Sequence, residues 1–247
     1  MIESKKAYRF IDGKSDKFWR IEYDGSMLAV NYGKTGTTGK YQVKEFDCQE
    51  ECEKEVKKLI ASKMKKGYQP YLEFPYDEHH YFDDDEIGLH PLTSHPNYRA
   101  NFTDGYYYDC VDEEAPFGSD EGSDTLSQIS EDIRKNKSFD FSGFPKKLVE
   151  EYWGMTYLPP DNIARESVMQ LAKDDADNLT QSDMVTYAAA FAQIKITGRV
   201  DAKLKAAAMS SIQRLIITAE ILGRNTTGEP SEIAEQMLND LGSFQSG

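Results

Sequence analysis

A chain of 247 residues, 39% hydrophobic and 12% aromatic, has the apolar content for one large domain or two small ones, which excludes wholesale disorder. Its formal charge of −14 excludes a molecule whose whole surface attracts nucleic acid. The charge is divided, however: residues 1–70 hold 15 Lys/Arg against 11 Asp/Glu, a net of +4, and residues 71–247 hold 14 against 32, a net of −18. This break reads as a boundary between a domain at 1–72, expected to fold by itself, and a second domain at 73–247.

No apolar run approaches the roughly 18 residues that a membrane helix needs. The start, Met1-Ile2-Glu3-Ser4-Lys5-Lys6, lacks the apolar core of a signal peptide. Cys48, Cys52 and Cys110 have no framework spacing, so they read as free thiols or small buried hydrophobes. Together these features predict a cytoplasmic protein with no membrane partner.

In chain order, four strands are predicted first, at 7–11, 18–23, 27–32 and 41–46. Asp12-Gly13 and Asp24-Gly25 supply the turns between them. The run Gly33-Lys34-Thr35-Gly36-Thr37-Thr38-Gly39 marks a tight loop before the fourth strand. A helix is predicted over about 48–66, with Asp47 and Glu50 at capping-box spacing. Its apolar face is Cys52, Val56, Leu59, Ile60 and Met64, cations fill its last turn (Lys63, Lys65, Lys66), and Gly67 stops it. Residues 71–125 read as loop-rich, with the acidic run Asp83–Glu86, all four histidines (His79, His80, His90, His95), a short strand at Tyr106–Tyr108, and turn chemistry over 115–124. Helical spacing then dominates. Leu126, Ile129 and Ile133 share a face; Pro145 suits the first turn of a helix ending at Gly154; Asp161 and Ser182 are candidate caps; Gly198 and Gly223 are stops; Pro230 opens a last helix. The fold class is therefore α+β: a small sheet-plus-helix module, then a larger, mainly α-helical acidic region.

The first 70 residues resemble the WGR domain family, named for a Trp-Gly-Arg tripeptide at a strand end, followed by a glycine-containing loop, a strand and a helix. The matching positions here are Tyr32-Gly33-Lys34, Thr35-Gly36, Gly39-Lys40 and the strand and helix after them. Lys17-Phe18-Trp19-Arg20 before them and Lys66-Gly67-Tyr68 after them also fit. Beyond residue 70, Gly88–Pro96 and Pro116–Asp124 resemble the bacterial YfeS-like WGR proteins, which implies an architecture and a bacterial context but no activity. In poly(ADP-ribose) polymerases the family's Trp and Arg take part in contacting broken DNA ends. This chain departs from the pattern at both positions: Tyr32 keeps a stacking face, and Lys34 keeps a charge without the bidentate fork.

The resemblance implies binding of DNA or RNA through residues 1–72. Tyr32 would stack, Lys34 and Lys40 would meet phosphates, Gly33 and Gly36 would permit close backbone approach, and Trp19 and Arg20 are further candidates, Trp19 being the one most suited to the core. The alternative partner is a basic protein bound by acidic residues 73–247. The histidines with Asp83–Glu86 supply ligand types for a metal but no recognised spacing, so no metal or cofactor is expected. Cys110 lies among Asp109, Asp112, Glu113 and Glu114, which oppose a thiolate. Gly118-Ser119-Asp120-Glu121-Gly122 is not a nucleophile elbow, because serine directly follows the first glycine. No catalytic set emerges and nothing resembles an ADP-ribosyl transferase domain; the expectation is a non-enzymatic accessory or regulatory protein.

Overall fold

The computed structural model describes residues 5–136, 138–223 and 231–246. The chain forms two compact units, Met1–His95 and Pro96–Gly247. In the first, strands β1 (Lys5–Asp12), β2 (Ser15–Asp24), β3 (Met27–Lys34) and β4 (Lys40–Glu45) are followed by helix α1 (Gln49–Lys65) and a two-residue strand β5 (Gln69–Pro70). The sheet is antiparallel with order β4-β3-β2-β1-β5. The first hairpin closes where Asp12 Oδ1 accepts from Lys14 N at 3.1 Å and Ser15 N at 3.0 Å.

Side chains alternate between the two faces of this sheet. One face carries Tyr8, Trp19, Ile21, Leu28 and Val30, which pack with Cys52 and Val56 of α1. The other carries Ala7, Phe18, Arg20, Ala29, Asn31, Tyr41 and Val43, and residues 71–95 cover it. Phe74 packs on Ala7 and Phe18, and Leu92 packs on Ala29 and Val43. Asp84 Oδ2 accepts from Val43 N at 2.6 Å. Both faces of β2 are thus covered, which is why Phe18–Glu22 is buried without a break. The compact unit consequently runs past the charge break near residue 70. At α1 the N-cap is Cys48 with no side-chain cap, so the capping box expected of Asp47 and Glu50 does not form. Met64, expected on the apolar face, is exposed.

The second unit is helical: α2 (Pro96–Asn101), α3 (Asp120–Lys135), α4 (Phe144–Lys147), α5 (Arg165–Thr197), α6 (Ala202–Leu222) and α7 (Glu232–Ser243). Several local expectations change. Gly105–Tyr108 is a 3-10 turn rather than a strand. The stretch read as turns enters α3 at Asp120, capped by Ser119 Oγ accepting from Gly122 N at 3.1 Å. Pro145 does open a helical turn, but it passes into a π-helical turn at Leu148–Tyr152 before Gly154. The helices expected behind Asp161 and Ser182 are merged in α5 across a kink at Asp175, whose Oδ1 accepts from Asn178 N at 3.1 Å. Ser182 is buried inside α5 and accepts from Leu158 N, so it caps nothing. The N-cap of α5 is Ala164, not Asp161. Gly198 and Gly223 end α5 and α6 in the left-handed region as expected. Pro230 lies outside the described residues; α7 has Ser231 as its cap.

Candidate nucleic-acid interface

The glycine loop is held by its own backbone. Lys34 O accepts from Thr37 N at 3.1 Å, closing a turn whose third residue, Gly36, has φ +84°. Thr35 N donates to Asp16 O at 3.0 Å and Thr35 Oγ1 to Asp16 Oδ1 at 2.6 Å. Asp16 is also gripped by Arg9 through Nε at 2.8 Å and Nη2 at 2.6 Å. The hydrogen bonds from Arg9 and Thr35 hold the Asp16 carboxyl down at about 2, so this anchor is ionised at ordinary pH. Gly33 and Gly39 face each other so closely that a Cβ on Gly33 would stand 2.8 Å from Gly39 Cα. These two glycines serve loop closure; Gly36, with open space around it, is the one at the tip.

Register decides which predicted residues meet. Trp19 pairs with Tyr32, Lys17 with Lys34, and Tyr32 with Lys40, so Lys17, Trp19, Tyr32, Lys34 and Lys40 all lie on the face that carries α1. The C-terminal turn of α1 ends over the same corner: Lys63 Nζ lies 5.3 Å from the Trp19 ring centroid, 5.7 Å from that of Tyr32 and 5.3 Å from that of Tyr68. Lys34 and Lys40 are exposed, and Tyr32 and Gly33 are half-buried. Lys40 Nζ is 3.9 Å from Asp85 Oδ2, an exposed pair of little energetic weight. The structure thus joins Tyr32, Gly33, Lys34 and Lys40 into one surface and adds Lys17 and Lys63, which motif reading missed. Lys17 could have been found by strand parity, two residues before Trp19.

Trp19 and Arg20 are not on that surface. Trp19 is 2% exposed, in the core against Tyr8, with ring centroids 5.6 Å apart. Arg20, also 2% exposed, points to the opposite face. There Nε donates to Asn31 Oδ1 at 3.3 Å, Nη1 to Glu22 Oε2 at 3.2 Å and Nη2 to the Tyr41 hydroxyl at 3.0 Å. Its guanidinium lies 4.4 Å from the Tyr81 ring centroid. Burial works against the charge on Arg20, and Tyr41, Tyr81 and Glu22 outweigh it, so its pKa lies above the ordinary arginine value. Asn31 ties this network to the loop by donating to Thr38 O at 3.0 Å and Lys40 O at 3.2 Å.

The histidines are spread over separate tasks. His79 Nε2 is 2.8 Å from Asn31 Oδ1. Burial, then the neighbouring Arg20, His80 and His95, push its pKa down to about 3, so His79 is neutral and its Nε2–H donates. His90 Nδ1 accepts from Leu92 N at 3.0 Å, and the His95 ring stands edge-on to Tyr81 at 5.2 Å. No group of three metal-ligating side chains comes together among the described residues. Cys52 is buried in the α1 core, and Cys48 and Cys110 are exposed free thiols.

A five-stranded antiparallel sheet with one helix across it, carrying a glycine loop flanked by an aromatic residue and a lysine, defines a WGR domain, and the WGR domain family matches residues 5–75. The chain belongs to the family of WGR-domain proteins that includes YfeS of Escherichia coli K12, described as an uncharacterized protein; the two are 48% identical over 240 residues, 97% of this chain and 98% of YfeS. Protein YehF of the same organism is 46% identical over 63 residues, 26% of this chain and 23% of YehF. A crystal structure of a Bacteroides fragilis protein matches 53% of this chain and 39% of its own at 31% identity, with a TM-score of 0.28. WGR domains of related proteins are often nucleic-acid-binding. No helix among the described residues is long and apolar enough to cross a membrane.

Proposed function

We propose that this protein is a non-enzymatic, cytoplasmic accessory or regulatory protein that binds nucleic acid through the corner of its WGR domain formed by Tyr32, Lys34, Lys40 and Lys17. The observation that carries the reading is the strand register, which gathers these side chains on one face around a half-buried aromatic ring. Unit Met1–His95 has 15 Lys/Arg and 18 Asp/Glu, so its net charge of −3 does not attract phosphate. Its distribution is more favourable: residues 71–95, with seven acidic residues and no Lys or Arg, lie mainly across the other face of the sheet, Asp85 beside Lys40 excepted.

The test is binding of the full-length protein to labelled single-stranded DNA, intact duplex, nicked duplex and RNA at about 50 mM salt. Lys34→Ala is expected to lower affinity and reduce the salt slope by roughly one ion, as loss of one phosphate contact does. Tyr32→Ala is expected to cost on the order of 1–3 kcal/mol with the salt slope unchanged, as loss of one stacked base does. Absence of binding to all four probes overturns the reading and leaves the loop as a turn.

A further inference from the structure

We infer that Lys63 of α1 is a phosphate-contacting residue of this surface, presented beside Tyr32 by a clamp of three aromatic rings; the inference rests on the nucleic-acid reading above and extends it to a residue outside the loop.

The end of α1 builds the clamp. Tyr68 N donates to Lys63 O at 3.2 Å and Gly67 N to Met64 O at 3.0 Å, the paired bonds of a helix-terminating turn with Gly67 in the left-handed region at φ +88°. This turn folds the chain back so that Tyr68 lies over the side chain of Lys63. Trp19 and Tyr32 approach the same ammonium from the sheet, because register places them side by side. Four neighbouring elements, β2, β3, α1 and the turn after it, thus converge on one cation.

Three rings attract the charge, but a ring face is a poor partner for the ammonium's three N–H donors. Other lysines around α1 have carboxylates: Lys57 has Glu53, Lys58 has Glu55, and Lys44 has Glu55. Lys63 has no ion pair among the described residues. Burial and the nearby Lys66 lower its pKa, and no carboxylate opposes them. An anion placed there would relieve both. The clamp also fixes a side chain that is normally flexible, so less rotamer entropy is lost when phosphate binds. The juxtaposition of a fixed, half-buried cation with a half-exposed tyrosine suits a nucleotide, whose phosphate and base present complementary chemistry a few ångströms apart.

The test uses the full-length protein with Lys63→Met, which keeps the apolar stem in the clamp, Lys63→Arg, which keeps the charge, and Lys57→Met as a control on the same helix. Two probes are read: salt-dependent binding of a single-stranded oligonucleotide and a nicked duplex, and titration of pyrophosphate followed at the Lys63 side-chain NMR resonance. Lys63→Met is expected to weaken nucleic-acid binding several-fold and to lower the salt slope by about 0.7–0.9 ion. Lys63→Arg should restore the slope and Lys57→Met should leave it unchanged. Pyrophosphate should shift the Lys63 resonance and raise its pKa. If the wild type binds nucleic acid and Lys63→Met binds equally well with the same slope, the Lys63 inference is overturned while the surface reading stands. If nucleic acid does not bind but pyrophosphate still raises the Lys63 pKa, the anion site stands and the nucleic-acid reading falls. If nucleic acid does not bind and pyrophosphate does not move the Lys63 resonance, both fall.

Discussion

Asn31 sits where the loop and the covering segment meet. Its amide donates to Thr38 O and Lys40 O, while its carbonyl faces Arg20 and His79. The loop shape is therefore set from beneath, by a buried side chain, and completed by glycines packed against it. A methyl on Gly39 would stand 2.6 Å from Phe18 Cζ and 2.8 Å from Tyr32 O, at a φ of +71°. Gly39→Ala is accordingly expected to cost more than the 1–2 kcal/mol of a left-handed non-glycine residue alone, read as a lowered urea midpoint. His79 gives a pH prediction. Its pKa is about 3 folded and about 6.5 unfolded, so between those values the unfolded chain binds a proton that the folded chain does not. The His79 contribution is complete above pH 6.5 and is lost progressively as pH falls toward 3. His79→Gln, which can still donate to Asn31, should flatten the fall in stability between pH 6.5 and 4. Asp16 loses its contribution only below the unfolded aspartate pKa of about 3.8, and Asp183, which burial raises to about 7, titrates alike in both proteins, so His79 is read from the difference between them. Urea unfolding that declines equally in both proteins over this range would refute it.

At the level of elements, strands and turns were legible because their signals are local: alternation, Asp-Gly pairs and a glycine-dense loop predict β1 to β4 to within a few residues. The candidate site was legible only in part. Tyr32, Lys34 and Lys40 follow from the motif, whereas the proposed Lys63 belongs to a helix whose cations read simply as dipole partners. Arg20 is adjacent in sequence to Trp19, and parity sends it to the opposite face. Helix boundaries in the second unit were obscured because burial overrides local chemistry. Ser182 looks like a cap, but it is buried one residue before Asp183, and Asp183 meets Arg214. That pair joins α5 to α6: Arg214 Nε lies 3.0 Å from both carboxylate oxygens of Asp183, while Nη1 and Nη2 donate to Pro159 O and Leu158 O at 2.8 and 2.6 Å. Both side chains are at most 1% exposed, so removing one partner strands a buried charge. Arg214→Met is expected to destabilise the helical unit by about 3–5 kcal/mol, and Asp183→Leu combined with it to recover part of that loss. Chemical denaturation followed by far-ultraviolet circular dichroism distinguishes the outcomes; equal stability of wild type and Arg214→Met would show that the pair does not hold these helices.

On the scale of the whole chain, charge and packing divide the sequence at different places. The sign of the charge changes near residue 70, where α1 and β5 end, but residues 71–95 supply the second wall of the WGR unit. Without them Phe18, Ala29 and Val43 lose their cover, and buried Arg20 and Tyr41 lose Tyr81 and the carbonyl of His80. A fragment of residues 1–95 is therefore expected to give a dispersed amide spectrum, and a fragment of 1–72 a collapsed or aggregating one. The folded fragment then allows the acidic remainder to be weighed. Residues 96–247 carry 14 Lys/Arg and 25 Asp/Glu, a net of −11 tethered to a unit of −3. Like charge repels phosphate over the Debye length, about 8 Å at 0.15 M salt and about 30 Å at 0.01 M. Residues 1–95 should therefore bind nucleic acid more tightly than the full-length protein at low salt, and the two affinities should converge as salt is raised. The tethered acidic unit would then set how readily a weakly charged surface engages its target, and the direct contacts would decide what is engaged. Equal affinities at about 10 mM salt would show that the acidic region has no electrostatic influence on the site. A full-length protein that binds more tightly than the fragment would mean that residues 96–247 contribute contacts of their own.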